Sequence, residues 1–358
     1  MELEIERKTP RLVELVSGVD ALYASSRTDV TGEFFRMLME MKEFAGEADL
    51  SLPLLNISGQ RFEVSNYSWG KYPVFMEHEF GRLGFTKSEK LPGIRLQIRS
   101  KYLHAVGAEN ALDWFTKRLH EIKVHPAWTL SRLDLFADVQ GWDLHHYDQE
   151  QFQTRASDLT SRKVSNKFSG FEFGRRKTGS INARIYDKTL EMLKSPNGWT
   201  VEQWGSRFNH DYPVWRIEFE FHTNILREVG IPTADQGLAR RSELWAYATD
   251  KWLTHRDIGE DSNKSRWPIS SEWIQIQNVN LRGKSVAIER IRKSEDDLSL
   301  QRLIPGLLGY LTSVGVHGDA TDLNSALDFA FDVIDREEKA GRRSTSEILE
   351  YKKNRFRK

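Results

Sequence analysis

Three side chains suited to phosphate chemistry follow one another at two-residue spacing near the middle of the sequence. In the segment "ARIYDKTLE" they are Arg184, Tyr186 and Lys188, and side chains two residues apart share one face of a β-strand. A phenol is a weak nucleophile until a cation, a metal ion or a base favours the phenolate. The spacing therefore makes Tyr186 a candidate nucleophile for attack on a phosphate, with Arg184 and Lys188 stabilising charge. An ordinary tyrosine on a surface strand is the alternative.

Two further segments alternate charged and apolar residues, which predicts strands with one polar and one apolar face. They are "TLSRLDLFADVQG" and "VWRIEFEFHT". The charged residues that share a face are Arg132, Asp134 and Asp138 in the first segment, and Arg216, Glu218 and Glu220 in the second. Carboxylates are hard oxygen ligands that select Mg²⁺ or Mn²⁺, so the four acids are candidate ligands of a divalent metal. Salt bridges between neighbouring strands explain the same pattern equally well.

A local excess of positive charge lies just before the tyrosine, although the whole chain is balanced with 52 Lys/Arg and 52 Asp/Glu. Residues 155–188 contain nine Lys/Arg and three Asp/Glu, and "FGRRKTGS" is the densest part. The stretch favours contact with an anionic partner. Arg175, Arg176 and Lys177 are therefore candidate contacts for an anion, and a solvated face is the alternative.

The alternating segments predict an antiparallel sheet with helices on one face and the other face exposed, an α+β fold. The segments "GFEFGRR" and "SINARIYDK" are expected to form a hairpin through the "RKTG" turn, and a loop with a helix is expected over 148–163. Beyond about residue 225 the patterns are mainly helical. The sequence thus predicts a catalytic domain over 1–225 and a mainly helical, DNA- or partner-binding region over 226–358.

Composition narrows the classes of protein. The 358 residues include no cysteine, which excludes disulfides, thiolate zinc sites and cysteine catalysis and fits a cytoplasmic location. No apolar run approaches the roughly 18 residues that a membrane helix needs, so no membrane association is expected. The N-terminus "MELEIERKTP" is charged from its second residue, unlike a secretory signal.

The order of these segments resembles the Rep_trans replication initiation factors of rolling-circle plasmids and filamentous phages, to which conjugative relaxases are related. The resemblance covers roughly residues 15–230 and rests on "GIRLQIRSKYL", "DWFTKRL", "SRLDLFADV", "FGRRKTGSINARIYDKTLE" and "WRIEFEF". It implies a fold like that of the HUH endonucleases, with Tyr186 as the nucleophile. It also implies carboxylates as metal ligands in place of a histidine pair. Asp134 and Glu218 match best, followed by Asp138 and Glu220.

The resemblance implies a metal-dependent DNA nicking–joining enzyme that starts rolling-circle replication by forming a 5′-phosphotyrosine link. Origin DNA, single-stranded or as a hairpin, is the expected partner, with Arg132 and Arg216 joining the basic turn in binding it. The C-terminal region could bind duplex DNA or recruit a host helicase, and the oligomeric state stays open, a dimer included. A conjugative relaxase with the same chemistry and a non-catalytic DNA-binding regulator on the same scaffold are the alternatives.

Overall fold

The structure is a computed structural model that describes residues 11–47, 52–175, 179–194, 198–279, 281, 295–340, 344–347 and 349–350. The strands are β1 (Val13–Ser26), β2 (Leu54–Ile57), β3 (Gln60–Val64), β4 (Val74–His78), β5 (Gly81–Phe85), β6 (Ile94–Ile98), β7 (Thr129–Gln140), β8 (Phe152–Thr154), β9 (Leu159–Val164), β10 (Lys167–Phe173), β11 (Ile181–Asp187), β12 (Val214–His222) and β13 (Leu253–His255).

The α-helices are α1 (Gly32–Glu47), α2 (Ser100–Val106), α3 (Ala108–Glu121), α4 (Lys188–Lys194), α5 (Gly198–Trp204), α6 (Thr223–Glu228), α7 (Ala234–Ala239), α8 (Arg241–Tyr247), α9 (Ser271–Gln277), α10 (Glu295–His317) and α11 (Leu323–Lys339). Short 3-10 helices span His146–Gln151, Gly205–Arg207 and Lys264–Arg266, and a π-helix spans Ala248–Trp252. No helix in the described ranges is long and apolar enough to cross a membrane.

Eleven of the described strands form one antiparallel sheet in the order β2-β3-β4-β5-β6-β1-β7-β12-β11-β10-β9, and β8 pairs with β13 separately. The three strands with mixed faces lie side by side, because β7 pairs with β12 and β12 pairs with β11. The predicted hairpin is present, since β10 pairs with β11. The predicted helix over 148–163 is wrong: that stretch is a 3-10 turn followed by β8 and the edge strand β9.

The apolar face of the sheet carries most of the core and is covered by helices. Near one end, Phe34 of α1 meets Phe85 edge to face at 5.8 Å between ring centroids. Near the other end, Trp245 of α8 meets Phe219 of β12 at 5.4 Å. Both contacts bury large rings, the strongest apolar contribution a side chain makes to folding. The predicted α+β class, an antiparallel sheet with helices and a mainly helical C-terminal region, is confirmed.

The opposite face of the sheet is only partly open. Trp204 of α5 is buried on this face at one end of β7, in a small apolar cluster with Leu15 and Val214. The short helices α4 and α5 therefore cover one end of a face that the sequence predicts to be exposed. Beyond this cover, Arg132 and Arg184 are part-exposed, whereas Asp134, Phe136 and Glu218 on the same face are buried.

The chain divides into two compact units, residues 1–291 and 292–358. The predicted domain boundary at residue 225 falls inside the first unit, which also contains α6 to α9. In the second unit, α10 and α11 pack on each other as a hairpin. The N-cap of α11 is Asp322, whose carboxylate accepts a hydrogen bond from the Ser325 amide at 2.8 Å.

Candidate active site

Strand pairing brings the predicted polar residues of β7, β12 and β11 into adjacent rows on one face. Glu220 lies opposite Asp134, and Arg216 lies opposite Asp138. On the other side of β12, Arg184 of β11 lies opposite Glu218, and Tyr186 lies opposite Arg216. Directly opposed residues are close enough for their side chains to interact. Residues separated by up to about 86 positions in the sequence numbering therefore meet on one wall of the sheet.

Tyr186 is half-buried and its phenol touches both a carboxylate and two cations. Its hydroxyl donates a hydrogen bond to Glu218 Oε2 at 3.3 Å. The guanidinium carbon of Arg184 lies 5.3 Å from the centre of the Tyr186 ring, and Lys188 Nζ lies 5.6 Å from it. These distances allow cation–π attraction. The phenol is thus held among charged groups and not in apolar packing.

Lys188 reaches this position from a helix and not from the strand, which corrects the predicted alternation. Strand β11 ends at Asp187, and Lys188 is the first residue of α4. The reason is local, because the Asp187 carboxylate accepts a hydrogen bond from the Leu190 amide at 3.0 Å and so starts the helix. Lys188 is buried and forms an ion pair with Glu191.

The protonation of Tyr186 follows from its surroundings. Burial raises the pKa of the Tyr186 phenol well above its usual value, and the negative charge of Glu218 raises it further. Arg216 and Arg184 oppose this effect on the pKa but do not reverse it. The phenol is therefore protonated in the protein alone, with Glu218 placed to accept its proton.

Three carboxylates, those of Asp134, Glu218 and Glu220, are buried on this face, and Glu218 is the one that contacts the tyrosine. Arg132 binds Asp134 through two hydrogen bonds, Nε to Oδ1 at 2.8 Å and Nη2 to Oδ2 at 2.5 Å. Arg132 also contacts Glu220 at 2.6 Å, and Arg184 pairs with Glu218. Arginine side chains thus neutralise a group of acids that would otherwise repel one another.

The balance at Asp134 is incomplete. Burial raises the pKa of its carboxyl from 3.8 to about 8, and Glu218 and Glu220 contribute to the rise while Arg132 opposes it. A second cation near these acids would relieve the same cost. His222 approaches from the end of β12, with its Nε2 2.6 Å from Glu220 Oε1. It lies on the same face as Glu218, because residues four apart on a strand share a face.

Asp138 and Arg216 form a separate, fully buried pair. Arg216 donates from Nε to Asp138 Oδ1 at 2.6 Å and from Nη2 to Oδ2 at 2.8 Å. The indole nitrogen of Trp204 donates to Asp138 Oδ2 at 2.8 Å. Asp138 is 0 % and Arg216 2 % exposed. The burial does not fit the predicted roles of Asp138 as a metal ligand and Arg216 as a DNA contact, because neither group has a free side.

The Arg216 guanidinium also links β12 to β1. Its Nη1 contacts Asp20 Oδ1 at 3.0 Å, and His104 Nε2 contacts the same oxygen at 3.1 Å. The pKa of Asp20 is lowered despite burial, because His104 and Arg216 stabilise the carboxylate. The alternation in β7, β11 and β12 contains no signal for this partner, which comes from β1.

A cleft of about 470 Å³ opens in front of Tyr186. Its walls are formed by β9, β10, β11 and the start of α4. The charged and polar residues that line it include Arg162, Lys163, Ser169, Arg184, Tyr186 and Glu191. The three cations of this lining are matched by three carboxylates, those of Glu172, Asp187 and Glu191. The cleft is the route by which a phosphate could reach the phenol.

Gly170 shapes this cleft, and sequence reasoning missed it. It lies opposite Tyr186 in the β10–β11 pair with φ +136°. A Cβ atom there would lie 2.0 Å from the Ile185 carbonyl oxygen and 2.7 Å from Tyr186 Cα. A glycine inside the alternating segment "KFSGFEF" is the available signal, since glycine within a strand marks a close backbone approach. Arg162 and Lys163 were missed because their strand was predicted to be helical.

The predicted DNA-binding turn is described only at its edge. Arg175 is exposed, with its Nε 3.0 Å from Asp158 Oδ2. Arg176 and Lys177 lie outside the described residues. Arg132 is part-exposed, but its guanidinium is occupied by Asp134 and Glu220.

The carboxylate oxygens of Asp134, Glu218 and Glu220 are ligands of the type that a divalent metal prefers. Each of these side chains is paired with an arginine in this structure. As these side chains stand, the described residues contain no group of three or more histidine, aspartate or glutamate side chains arranged to hold a metal ion. Glu218 and Glu220 nevertheless lie close enough to Asp134 to raise the pKa of its carboxyl. Such a donor set matches a hard cation.

Comparisons with known proteins find similarity among solved structures. No family model matches the chain, and no curated protein matches it. Among solved structures, the chain is similar to the rolling circle replication initiator protein from Geobacillus stearothermophilus. The identity is 13%, the match covers 77% of this chain and 100% of that one, and the TM-score is 0.44.

Proposed function

We propose that this protein nicks and rejoins single-stranded DNA at a replication origin, as a rolling-circle replication initiator. The observation that carries the proposal is the placement of Tyr186. Its hydroxyl lies 3.3 Å from Glu218 Oε2, on the wall of a cleft lined by three cations and three carboxylates. Transfer of a DNA phosphoryl group to a tyrosine requires a phenol, a proton acceptor and a route for the phosphate.

Glu218 accepts the Tyr186 proton during the attack. Because burial and Glu218 raise the pKa of the Tyr186 phenol, the hydroxyl needs a base at hydrogen-bond distance in order to attack. As the phenol oxygen bonds to phosphorus, its proton passes to Glu218 Oε2. The P–O3′ bond breaks, the DNA 5′ end becomes a phosphotyrosine ester, and the 3′ oxygen takes a proton from water. The reverse steps rejoin the strand.

The two cations beside the ring act on the phosphate. Arg184 is part-exposed on the cleft and pairs with Glu218, so a phosphate entering there competes for the same guanidinium. A guanidinium binds two phosphate oxygens at once. Lys188, which is buried and paired with Glu191, has its Nζ 5.6 Å from the ring centre and adds positive charge near the phenol. Together they offset charge that develops on the transferred phosphoryl group.

We propose that Asp134, Glu218 and Glu220 hold a divalent metal ion, Mg²⁺ or Mn²⁺. The support is their shared burial and the raised pKa of Asp134. When bound, such an ion polarises a phosphoryl oxygen and offsets negative charge. Asp138 is left out of this set because Arg216 and Trp204 occupy both its oxygens.

The partner in this proposal is origin DNA, and the basic residues near the cleft are its phosphate contacts. Arg162 and Lys163 line the cleft, and Arg175 is exposed near its rim at the end of β10. Contacts of this kind position a strand without reading its sequence. A host helicase as a further partner, a cytoplasmic location and a dimeric state stay predictions.

The test is formation of a covalent adduct. The protein is incubated with labelled single-stranded oligonucleotides from candidate origins and Mn²⁺, then denatured and separated by gel electrophoresis. We expect a labelled protein band with the wild type and with Tyr147→Phe, a matched control at a tyrosine that is 65% exposed. Tyr186→Phe should yield no band while still binding the oligonucleotide. A band of equal intensity from Tyr186→Phe would overturn the assignment.

A non-catalytic DNA-binding regulator is the second candidate function. The observation in its favour is that Asp134, Asp138 and Glu218 are each paired with arginine, as in a structural network. If oligonucleotide binding occurs and no adduct forms under any metal condition, this second function replaces the first.

A further inference from the structure

A second surface of the sheet combines arginines with aromatic rings, away from Tyr186. We name it the arginine–aromatic surface and define it by Tyr23, Trp69, Arg82, Arg95 and Gln97. Strand β6 buries Ile94, Leu96 and Ile98 on the helix-covered side, so Arg95 and Gln97 project from the opposite side. Gln97 lies opposite both Tyr23 of β1 and Arg82 of β5.

This surface lies on the same side of the sheet as the candidate active site. Tyr23 is opposite Arg132, and Arg132 stands in the row of residues that carries Asp134. The Arg132 guanidinium carbon lies 5.2 Å from the Tyr23 ring centre. Five inter-strand steps separate β5 from β11, a distance of about 24 Å across the sheet. One strand of nucleic acid could therefore extend along the face from one site to the other.

Trp69 lies against the sheet with two guanidinium groups close to its ring. The guanidinium carbons of Arg82 and Arg95 are 4.3 and 4.2 Å from the centre of its ring. Gly84 makes room for the indole, since a Cβ atom there would lie 3.0 Å from Trp69 Cε3. The ring and the two arginines thus form a fixed group on a part-exposed surface.

Hydrogen bonds hold the rest of the surface in place. Arg82 Nε donates to Gln97 Oε1 at 2.8 Å, and Gln97 Nε2 donates to the Tyr23 hydroxyl at 2.7 Å. The chain of contacts fixes the side chains before any ligand arrives. Such preorganisation lowers the entropy cost of binding.

The charge of this surface is unbalanced. Glu77 is the carboxylate that pairs with both Arg82 and Arg99, at 3.9 and 3.7 Å. Across the ranges that the structure describes, Arg95 has no ion pair, and it is only part-exposed. Burial lowers the pKa of Arg95, and the positive charge of Arg82 lowers it further. A half-buried cation without an anion is costly, and a phosphate group would relieve that cost.

We propose that the arginine–aromatic surface binds single-stranded DNA, with phosphates on Arg82 and Arg95 and a base against Trp69. Proteins that bind single-stranded nucleic acid combine cations, which hold the phosphates, with aromatic rings on which the bases stack. That the bound strand is the one cut at Tyr186 rests on the proposed function. Binding of a single strand by this surface does not.

The test measures binding without cleavage, in the Tyr186→Phe background. The probe is fluorescein-labelled oligothymidylate of about 20 nucleotides, longer than one common single-strand site. Fluorescence anisotropy gives Kd over a series of salt concentrations. Oligouridylate of the same length is the second arm and distinguishes DNA from RNA as the preferred strand.

We expect Arg95→Gln to weaken oligothymidylate binding and to reduce the slope of log Kd against log salt by about 0.7, one phosphate contact on a single strand. Arg95→Lys keeps the charge and should keep the slope. Trp69→Leu should weaken binding about fivefold or more through loss of a stacked base and leave the slope unchanged.

The matched control is Arg118→Gln. Arg118 also lies over a tryptophan, 5.6 Å from the Trp114 ring centre, but on α3, which covers the other side of the sheet. The Arg118→Gln variant should bind oligothymidylate with the same Kd as the Tyr186→Phe parent. Equal thermal unfolding of Arg95→Gln and Arg95→Lys shows that any difference between them comes from charge and not from misfolding.

Two results would overturn the proposal. One is an unchanged Kd and salt slope in Arg95→Gln, and the other is equal weakening by Arg118→Gln. Tighter binding of oligouridylate than oligothymidylate would overturn DNA as the ligand. Failure of the proposed function is distinguishable, because it appears as a missing covalent adduct in the wild type while Arg95-dependent binding persists.

Discussion

Replacement of Arg216 tests the buried part of the ion-pair network. Arg216→Gln removes two hydrogen bonds to Asp138, at 2.6 and 2.8 Å, and one to Asp20 at 3.0 Å. Asp138 is 0 % exposed, so its charge is left without a cation and without water. Removing one partner of a buried pair costs about 3–5 kcal/mol. We expect a loss of that size in the free energy of unfolding.

The measurement is urea unfolding followed by tryptophan fluorescence, with matched variants. Arg162→Gln breaks an exposed pair, with Arg162 Nη2 2.6 Å from Glu172 Oε2 and the Arg162 side chain 57% exposed, and should cost less than about 1 kcal/mol. Arg216→Lys keeps the charge and should lose less than Arg216→Gln. The double variant Arg216→Gln with Asp138→Asn should recover part of the loss, since no bare carboxylate stays at that position. An Arg216→Gln variant no less stable than Arg162→Gln would refute the buried-pair reasoning.

Three further predictions concern neighbouring positions. In EDTA, Asp134→Asn should gain stability relative to the wild type as pH rises from about 4 to 8. The reason is that the folded carboxyl, with its pKa raised to about 8, keeps a proton that the unfolded chain has released. A difference in free energy of unfolding, measured in urea, that stays constant across this pH range would contradict the prediction. Gly170→Ala should lose about 1–3 kcal/mol through backbone strain and a clash, whereas Gly198→Ala, with open space around its Cβ position, should lose little in the same assay. Trp204→Phe removes the 2.8 Å hydrogen bond to Asp138 and should cost about 1–3 kcal/mol, as measured by calorimetry; an unchanged unfolding temperature would show that the bond is not needed.

Alternation in three short segments was enough to predict the face on which the candidate site lies. Because side chains repeat every two residues along a strand, a charged row with an apolar row behind it assigns each residue to a side. Glu218, Arg184 and Tyr186 lie together as that pattern predicts. The sequence also predicts the helical C-terminal region, because its apolar residues recur at helical spacing.

Local patterns failed where a residue's environment depends on a distant element. The strand order that makes β12 the neighbour of both β7 and β11 results from packing of the whole sheet. The burial of Asp138 depends on Trp204 from α5, and Arg216 takes a second acid, Asp20, from β1. None of these contacts leaves a mark in the sequence around Arg216.

By itself, therefore, the sequence determined which side chains face the same way on each strand, because that is a property of the backbone repeat. The tertiary structure decided which strands are neighbours and which charges are sealed from water. It left Tyr186 on an open cleft and placed Arg216 and Asp138 under a helix. The physical reason is that burial and pairing are set by contacts between residues far apart in the chain.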